Sequence, residues 1–180
     1  MTSSSALKRF FGPLSGLPAW GGLASWGTWL SLEFGQPRLE VREAMPTTGN
    51  PRLRRRHASV VGEHNLWLDM CHWEILDGAR RRFHSEQSRH LLRRAAAHLD
   101  GQIVVALSIS VRPLTSEFHF DDGTRLIARR LPRADPDWEL WHLYSPRNYL
   151  GLTSAGRLQV GWIKPQRLHS LQVTPTQIAV

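Results

Sequence analysis

Short stretches of alternating apolar and polar residues, separated by turn residues, dominate the second half of this sequence. The clearest runs over 102–112. Its apolar positions recur with a period of two and are Ile103, Val105, Leu107, Ile109 and Val111. Successive side chains of a strand point to opposite faces, so the alternation predicts a strand with these residues inward. Shorter segments of the same kind follow to residue 162 and predict a meander of antiparallel strands.

The first half carries strand patterns as well. Segment 28–34 alternates and is followed, after Gly35-Gln36-Pro37, by the half-polar segment 38–44, so the two are predicted to form a hairpin. Segment 57–62 is a further strand. Segment 65–76 is the most apolar, and its apolar residues fall on both alternating faces. That pattern is typical of a central strand covered on both sides.

One helix is predicted near 85–99. Ser85 is a good N-cap and Glu86 places negative charge in the first turn. Leu92, Ala95, Ala96 and Leu99 follow the i, i+3, i+4, i+7 spacing of one helical stripe. Together these patterns predict an α+β fold. It consists mostly of antiparallel sheet, with eight or nine short strands, a C-terminal meander and one main helix.

The chain of 180 residues is long enough for a single domain with its own core. Segment 1–27 is rich in Gly, Pro, Ser and Trp and is predicted to be an N-terminal loop, partly disordered. The globular α+β domain is placed at 28–163, and 164–180 is predicted to be a frayed tail. No stretch of about 20 strongly apolar residues occurs, so we expect no membrane span and a cytoplasmic protein.

The charge is strongly basic. Lys and Arg total 23 against 15 Asp and Glu, which gives a formal net charge of +8. Two short clusters stand out, at 54–56 and 80–82, and all six of their residues are arginines. Such charge is compatible with an anionic partner, but a bias toward Arg with ordinary solvation is the favoured explanation.

No convergent set of catalytic residues, metal ligands or cofactor contacts emerges from the sequence. Among nine histidines there is no HExxH pair, and the single cysteine, Cys71, lies in the most apolar segment, where burial makes a thiol inert. An enzymatic role is therefore left uncertain, with non-enzymatic function favoured. If there is an active site, Asp121, His119 and His142 are the first residues to test, since they lie on strands predicted to be adjacent.

Several motifs resemble those of a small uncharacterised bacterial domain family. They are Phe118-His-Phe-Asp-Asp-Gly123, Trp138-Glu-Leu-Trp-His-Leu-Tyr-Ser-Pro146 and the early Thr28-Trp-Leu-Ser-Leu-Glu-Phe-Gly35. In that family the corresponding motifs are an F-x-F-D-x-G turn and W-x-L-Y-x-P. The resemblance spans about residues 16–160, implies a shared fold and transfers no activity or catalytic residue.

The sequence thus supports two functional hypotheses. The first is a non-enzymatic protein-interaction domain of the immunity or accessory kind, with a protein partner. The second is a nucleic-acid-binding protein that uses Arg and exposed aromatic residues. The candidate nucleic-acid or anion contacts are Arg80, Arg81, Arg82, Arg89, Arg93 and Arg94.

Overall fold

The alternating segments form strands, as expected. The computed structural model describes residues 3–25, 28–45, 47, 49 and 51–162, and these contain two helices and thirteen strands. The helices are α1 (Ser3–Phe11) and α2 (Arg89–His98). The strands are β1 (Ala19–Ala24), β2 (Leu30–Phe34), β3 (Arg38–Arg42), β4 (His57–Val61), β5 (His64–Leu68), β6 (Cys71–Asp77), β7 (Arg80–His84), β8 (Val104–Val111), β9 (Leu114–Phe120), β10 (Thr124–Arg130), β11 (Glu139–Tyr144), β12 (Asn148–Thr153) and β13 (Leu158–Trp162).

The strands form three sheets. One has six strands in the order β1-β2-β5-β11-β12-β13, one has five in the order β7-β6-β10-β9-β8, and β3 and β4 pair by themselves. All of these pairings are antiparallel. The predicted predominance of antiparallel sheet is confirmed. The predicted count of eight or nine strands was too low, because segment 65–76 divides into β5 and β6 and because β1 and β7 were not predicted.

The two large sheets pack face to face around one core. Trp141 on β11 reaches across and donates a hydrogen bond from Nε1 to Ser116 Oγ on β9, at 2.9 Å. The rings of Trp141 and Phe118 meet edge to face, with centroids 5.9 Å apart. Because Trp141, Ser116 and Phe118 are all fully buried, this contact lies at the centre of the sandwich.

Helix α2 is shorter than predicted. The stripe of Leu92, Ala95, Ala96 and Leu99 is buried, as its spacing indicated, and the helix packs against β1 and β7. It begins at Arg89, not at the predicted N-cap Ser85. The amide of Ser85 donates to the carbonyl of Trp73 at 2.9 Å, so this residue continues the sheet edge and cannot cap the helix.

The N-terminal segment differs from the predicted loop over 1–27. Residues Ser3–Phe11 form α1, and Ala19–Ala24 form the edge strand of the six-stranded sheet. Phe10 and Leu14 are buried, and the Phe11 ring lies 5.9 Å from that of Trp141. Burial of these side chains orders a segment whose composition suggested a loop. The predicted tail at 164–180 lies outside the described residues.

The predicted hairpin of 28–34 with 38–44 was wrong. Strand β2 lies between β1 and β5 in the six-stranded sheet. Strand β3 leaves that sheet and pairs with β4, from Arg38 opposite Val61 to Arg42 opposite His57. The choice of partner depends on burial against distant strands, which adjacency in sequence does not reveal.

Segment 65–76 is two strands, not one central strand. The chain leaves the six-stranded sheet after Leu68 and enters the five-stranded sheet at Cys71, with Met70 in the left-handed region at φ 48°. The core-facing positions change parity at this crossing, from Leu66 and Leu68 to Cys71 and Trp73. The apolar residues that alternate on both faces of one apparent strand therefore belong to the core-facing sides of two different strands.

Candidate binding cleft

The outer face of the six-stranded sheet carries large aromatic and acidic side chains. On β5, Leu66 and Leu68 point into the core, so Asn65 and Trp67 point outward. The strand register places Asn65 between Glu33 of β2 and Tyr144 of β11. Adjacent strands thus bring residues that are far apart in sequence onto one surface.

Three aromatic rings form a row on this surface. The ring centroids of Trp29 and Trp67 are 5.6 Å apart, and those of Trp67 and Tyr144 are 6.2 Å apart. Trp67 is 36% exposed, a large fraction for an indole in the middle of a sheet. Trp29 Nε1 is buried without a hydrogen-bond partner among the described residues. Trp29 and Tyr144 are half-buried, so the row forms the floor of a surface cleft in which Trp67 is the most exposed of the three rings.

The β3–β4 pair forms a wall beside this floor. Arg38, Glu40 and Arg42, which alternate along β3, line the same cleft as Trp29 and Trp67, and the cleft encloses about 550 Å³. A cleft of this size is within the range of small-ligand sites and of side-chain pockets.

Glycine residues allow the wall to approach the sheet. Gly62 lies directly against the backbone of Phe34, with no room for a Cβ. Gly35 has φ +79°, and a Cβ there would lie 2.6 Å from Glu63 Oε2. Both positions require glycine, so the geometry of this side of the cleft is fixed by backbone contacts.

Glu33 is a carboxylate on the sheet itself, on β2 opposite Asn65 of β5. It accepts hydrogen bonds from the Gly62 amide and from Asn65 Nδ2, both at 2.9 Å. Burial raises its pKa, while these two hydrogen bonds and the charge of Arg38 act in the opposite direction. Its side chain is held in place, and an added cation would favour its ionised form.

Two more carboxylates, Glu40 and Glu63, line the cleft. Glu40 lies 3.7 Å from the guanidinium of Arg38, and Glu63 accepts a long hydrogen bond of 3.4 Å from the Gln36 amide. Three carboxylates against the guanidinium groups of Arg38 and Arg42 leave the lining with an excess of negative charge. The chain as a whole carries +8, so the cleft reverses the sign locally.

A histidine–glutamate pair lies beside the aromatic row. His142 stacks on Tyr144 with centroids 5.5 Å apart, and its Nδ1 is 3.0 Å from Glu139 Oε2 without forming a well-aligned hydrogen bond. Burial lowers the pKa of His142 and raises that of Glu139. The Glu139 side chain lies over Gly151, where a Cβ would collide with it.

The six predicted anion-contact arginines gather at a different place. Arg80, Arg81 and Arg82 lie on the edge strand β7, and Arg89, Arg93 and Arg94 lie on α2, which packs against β7; all six are exposed. Arg81 is 3.9 Å from Glu74, and Arg82 is 3.7 Å from Asp77. The group is separate from the aromatic cleft, which belongs to β2, β3, β5 and β11.

The other candidate catalytic and metal-binding residues do not come together in one site. Asp121 and His119 belong to the five-stranded sheet and its turn, whereas His142 belongs to the six-stranded sheet, so the expectation that they lie on adjacent strands was wrong. Cys71 is buried in the core, and burial raises the pKa of its thiol. Across residues 3–25, 28–45, 47, 49 and 51–162, no three His, Cys, Asp or Glu side chains are placed to share a metal ion.

One arrangement resembles a hydrolytic triad in composition only. Ser85 Oγ lies 3.0 Å from His72 Nδ1, and Glu86 lies 4.0 Å from that same nitrogen. A triad needs the serine and the carboxylate on opposite ring nitrogens. Ser85 is also buried, so its hydroxyl is not presented to a substrate.

The cleft residues were not singled out from the sequence. A single strand over 65–76 would place Trp67 on the same face as Cys71 and Trp73. Near Asp69 the core-facing apolar residues change from even-numbered to odd-numbered positions. This change is the signal in the sequence that places Trp67 on the outer face of β5, opposite Leu66 and Leu68.

Comparison with known protein families, characterised proteins and solved structures finds no match. Within the part of the chain that the structure describes, neither helix has the length and apolar character needed to cross a membrane.

Proposed function

We propose that the chain is a non-enzymatic protein-interaction domain, and that its cleft binds a segment of a partner protein that presents an Arg or Lys side chain. The observation that carries the proposal is the row of Trp29, Trp67 and Tyr144 bordered by Glu33, Glu40 and Glu63. Aromatic faces attract cations within about 6 Å of the ring centroid. Carboxylates at the rim add hydrogen bonds and charge complementarity.

The rigidity of the cleft supports this function. The floor lies on paired strands, Glu33 is held by two hydrogen bonds, and Gly35 and Gly62 fix the wall. Binding therefore orders few protein side chains, which lowers its entropic cost. Trp, Tyr and Arg, which are among the residues that line the cleft, are also the residue types that dominate binding energy at protein interfaces.

The test is a selection of random peptides displayed on phage against the immobilised full chain. We expect the enriched peptides to share a basic residue. Their affinities, measured by fluorescence anisotropy, should fall at least about tenfold in Trp67→Ala, the loss typical of a hot-spot aromatic. Trp138→Ala is the matched control, because Trp138 is 43% exposed outside the cleft. Enriched peptides without a common basic residue, or affinities indifferent to Trp67→Ala, would contradict the proposal.

The role of charge is tested separately. Glu40→Gln keeps the shape of the side chain and removes its charge, so it should weaken binding of the selected peptides while Trp fluorescence and folding stay unchanged; Glu40 lines the cleft and pairs with Arg38 at 3.7 Å. Glu43→Gln is the control, since Glu43 pairs with Arg56 at 3.0 Å outside the cleft. Equal affinities for both variants would show that the carboxylate does not contact the peptide.

A parallel titration tests the alternative that the chain binds nucleic acid. A labelled single-stranded oligonucleotide is titrated in parallel at two salt concentrations. Binding that falls steeply with salt, is lost in Arg80→Glu/Arg93→Glu and persists in Trp67→Ala would overturn the proposal in favour of that alternative.

A further inference from the structure

A second pocket lies at one end of the sandwich. It encloses about 510 Å³, within the range of small-ligand sites. Its lining comes from the β8–β9 turn, from the end of β10 with the loop that follows, and from the β12–β13 turn. The first two belong to the five-stranded sheet and the third to the six-stranded sheet, so the pocket opens where the ends of the two sheets meet. Among the described residues, none lines both this pocket and the aromatic cleft.

Much of the lining of this pocket is apolar. Leu114 and Leu131 contribute to it, and so does Val111 at the end of β8. The alternation of the sequence predicted Val105 and Val111 to point inward, but they are 60% and 69% exposed. A ligand with an apolar body would cover part of this exposed surface, which favours its binding through the hydrophobic effect.

Two arginines, Arg129 and Arg130, give the pocket a positive charge. Of the described residues that line it, none is Asp or Glu. Arg129 forms an ion pair with Glu74, which lies outside the lining. In the described part of the chain no carboxylate pairs with Arg130, whose guanidinium donates one hydrogen bond, to the carbonyl of Ala134 at 3.3 Å. The charge of Arg130 and its remaining N–H donors are therefore available to a ligand.

A buried hydroxyl without a partner belongs to the same lining. Ser154, in the β12–β13 turn, is 1% exposed, and its Oγ has no hydrogen-bond partner among the residues that the structure describes. Its amide donates to the carbonyl of Trp138 at 2.6 Å, so the backbone that carries the hydroxyl is held in place. An unpaired buried hydroxyl costs free energy, and an acceptor atom of a ligand in the pocket would relieve that cost.

We propose that this pocket binds a small organic anion, independently of the partner protein proposed for the cleft. Carboxylate or phosphate oxygens accept hydrogen bonds from Arg130 and Ser154, while the apolar body of the ligand lies against Leu114 and Leu131. A guanidinium matches the paired oxygens of either group. A cation would be repelled by the arginines. A neutral apolar ligand would leave the donors of Arg130 and Ser154 unpaired, so the lining selects an anion.

Isothermal titration calorimetry of the full chain at physiological salt tests the site. Phenyl phosphate and phenylacetate are the probes, and the tighter binder of the two identifies the head group. Benzyl alcohol, which has no charge, should not bind, and inorganic phosphate, which has no apolar body, should bind more weakly than phenyl phosphate. The proposal would be overturned if neither aromatic anion bound at concentrations up to about 10 mM, or if benzyl alcohol or inorganic phosphate bound as tightly as they do.

Substitutions test the two donors. Arg130→Gln should raise the dissociation constant of the tighter anion at least about tenfold, because a hydrogen bond between charged groups is lost. Arg133→Gln is the matched control, since Arg133 is also exposed in the same part of the chain but does not line the pocket. Ser154→Ala should weaken binding while the fold is retained, because the hydroxyl has no partner within the described structure. Equal effects of Arg130→Gln and Arg133→Gln would refute the site.

Chemical-shift mapping locates the bound anion without any substitution. In ¹H–¹⁵N spectra of the full chain, phenyl phosphate should shift the amide signals of Thr115, Ser154 and Gly156 in a saturable way, because these residues line the pocket. The exposed arginines of β7 and α2 are the main competing site for an anion on this basic chain. Shifts confined to β7 and α2 would contradict the proposal.

Discussion

The hydrogen bond between Trp141 and Ser116 joins the two large sheets, and its removal tests the packing of the sandwich. Trp141→Phe removes part of a fully buried ring that also contacts Phe11 and Phe118 edge to face. The lost ring atoms cost about 1–2 kcal/mol. The hydroxyl of Ser116, which is fully buried, then loses its donor at a further cost of about 1–2 kcal/mol. The free energy of unfolding should fall by about 3 kcal/mol.

The double variant separates these two contributions. Ser116→Ala alone leaves the indole N–H of Trp141 buried without an acceptor, which costs about 1–3 kcal/mol. In Trp141→Phe/Ser116→Ala no polar group is left unpaired, so the double variant should be more stable than Trp141→Phe alone. We expect a coupling energy of about 2 kcal/mol between the two sites.

The assay is urea unfolding at 25 °C, followed by circular dichroism and analysed with a common m-value. Trp138→Phe, at a partly exposed loop position, is the control and should change stability by less than about 0.5 kcal/mol. If the effects of Trp141→Phe and Ser116→Ala add without coupling, the two side chains do not meet in the core, and the sheets do not pack as described.

Three further results are expected. Gly22→Ala should destabilise the fold by about 1–3 kcal/mol in urea unfolding, because its Cβ would lie 2.8 Å from the carbonyl oxygen of Ala96 on α2. Burial lowers the pKa of His64 and of His142, so the unfolded chain binds protons more readily at these sites. Stability should therefore fall as the pH drops through about 6.5, and the fall should be smaller in His64→Gln/His142→Gln. Cys71 should react with an aromatic disulfide reagent only on unfolding, since rapid reaction of the native protein would contradict its burial.

Local patterns in the sequence were sufficient for the elements that depend on local periodicity. The stripe of Leu92, Ala95 and Ala96 identified the buried face of α2, and alternation identified the C-terminal strands. The predicted start of α2 was wrong. Serine is a common N-cap residue, but the amide of Ser85 donates a hydrogen bond to the carbonyl of Trp73 in the neighbouring strand. Periodicity reports which face is buried, whereas element ends depend on contacts with distant residues.

The N-terminal helix carried a signal that its composition obscured. Ala6 and Phe10 are spaced i, i+4, as are Leu7 and Phe11, and Pro13 follows within two residues. Ala6 and Phe10 are buried in the structure, as that spacing indicates for one face of a helix. The serines before them and the glycines after them favoured a loop only when the segment was considered by composition.

The cleft could not be predicted from one sequence, because its residues come together through strand order. Trp67 lies beside His142 and Ser31 only because β5 sits between β2 and β11. The crossing at Met70 exchanges the inner and outer faces within a continuous apolar segment. The change from even-numbered to odd-numbered apolar positions is visible in the sequence. The sheet to which β5 and β6 each belong depends on pairing with strands that are distant in the sequence.

The most direct test of the cleft as a site for basic side chains is a two-dimensional ¹H–¹⁵N nuclear magnetic resonance titration that follows the indole N–H signals. N-acetyl-arginine amide is the probe, and N-acetyl-citrulline amide, which has the same shape without the charge, is the control. The account predicts saturable shifts of the Trp29 and Trp67 signals with the arginine probe, little shift of Trp138, and no response to citrulline. Equal responses to both probes, or shifts confined to tryptophans outside the cleft, would contradict it.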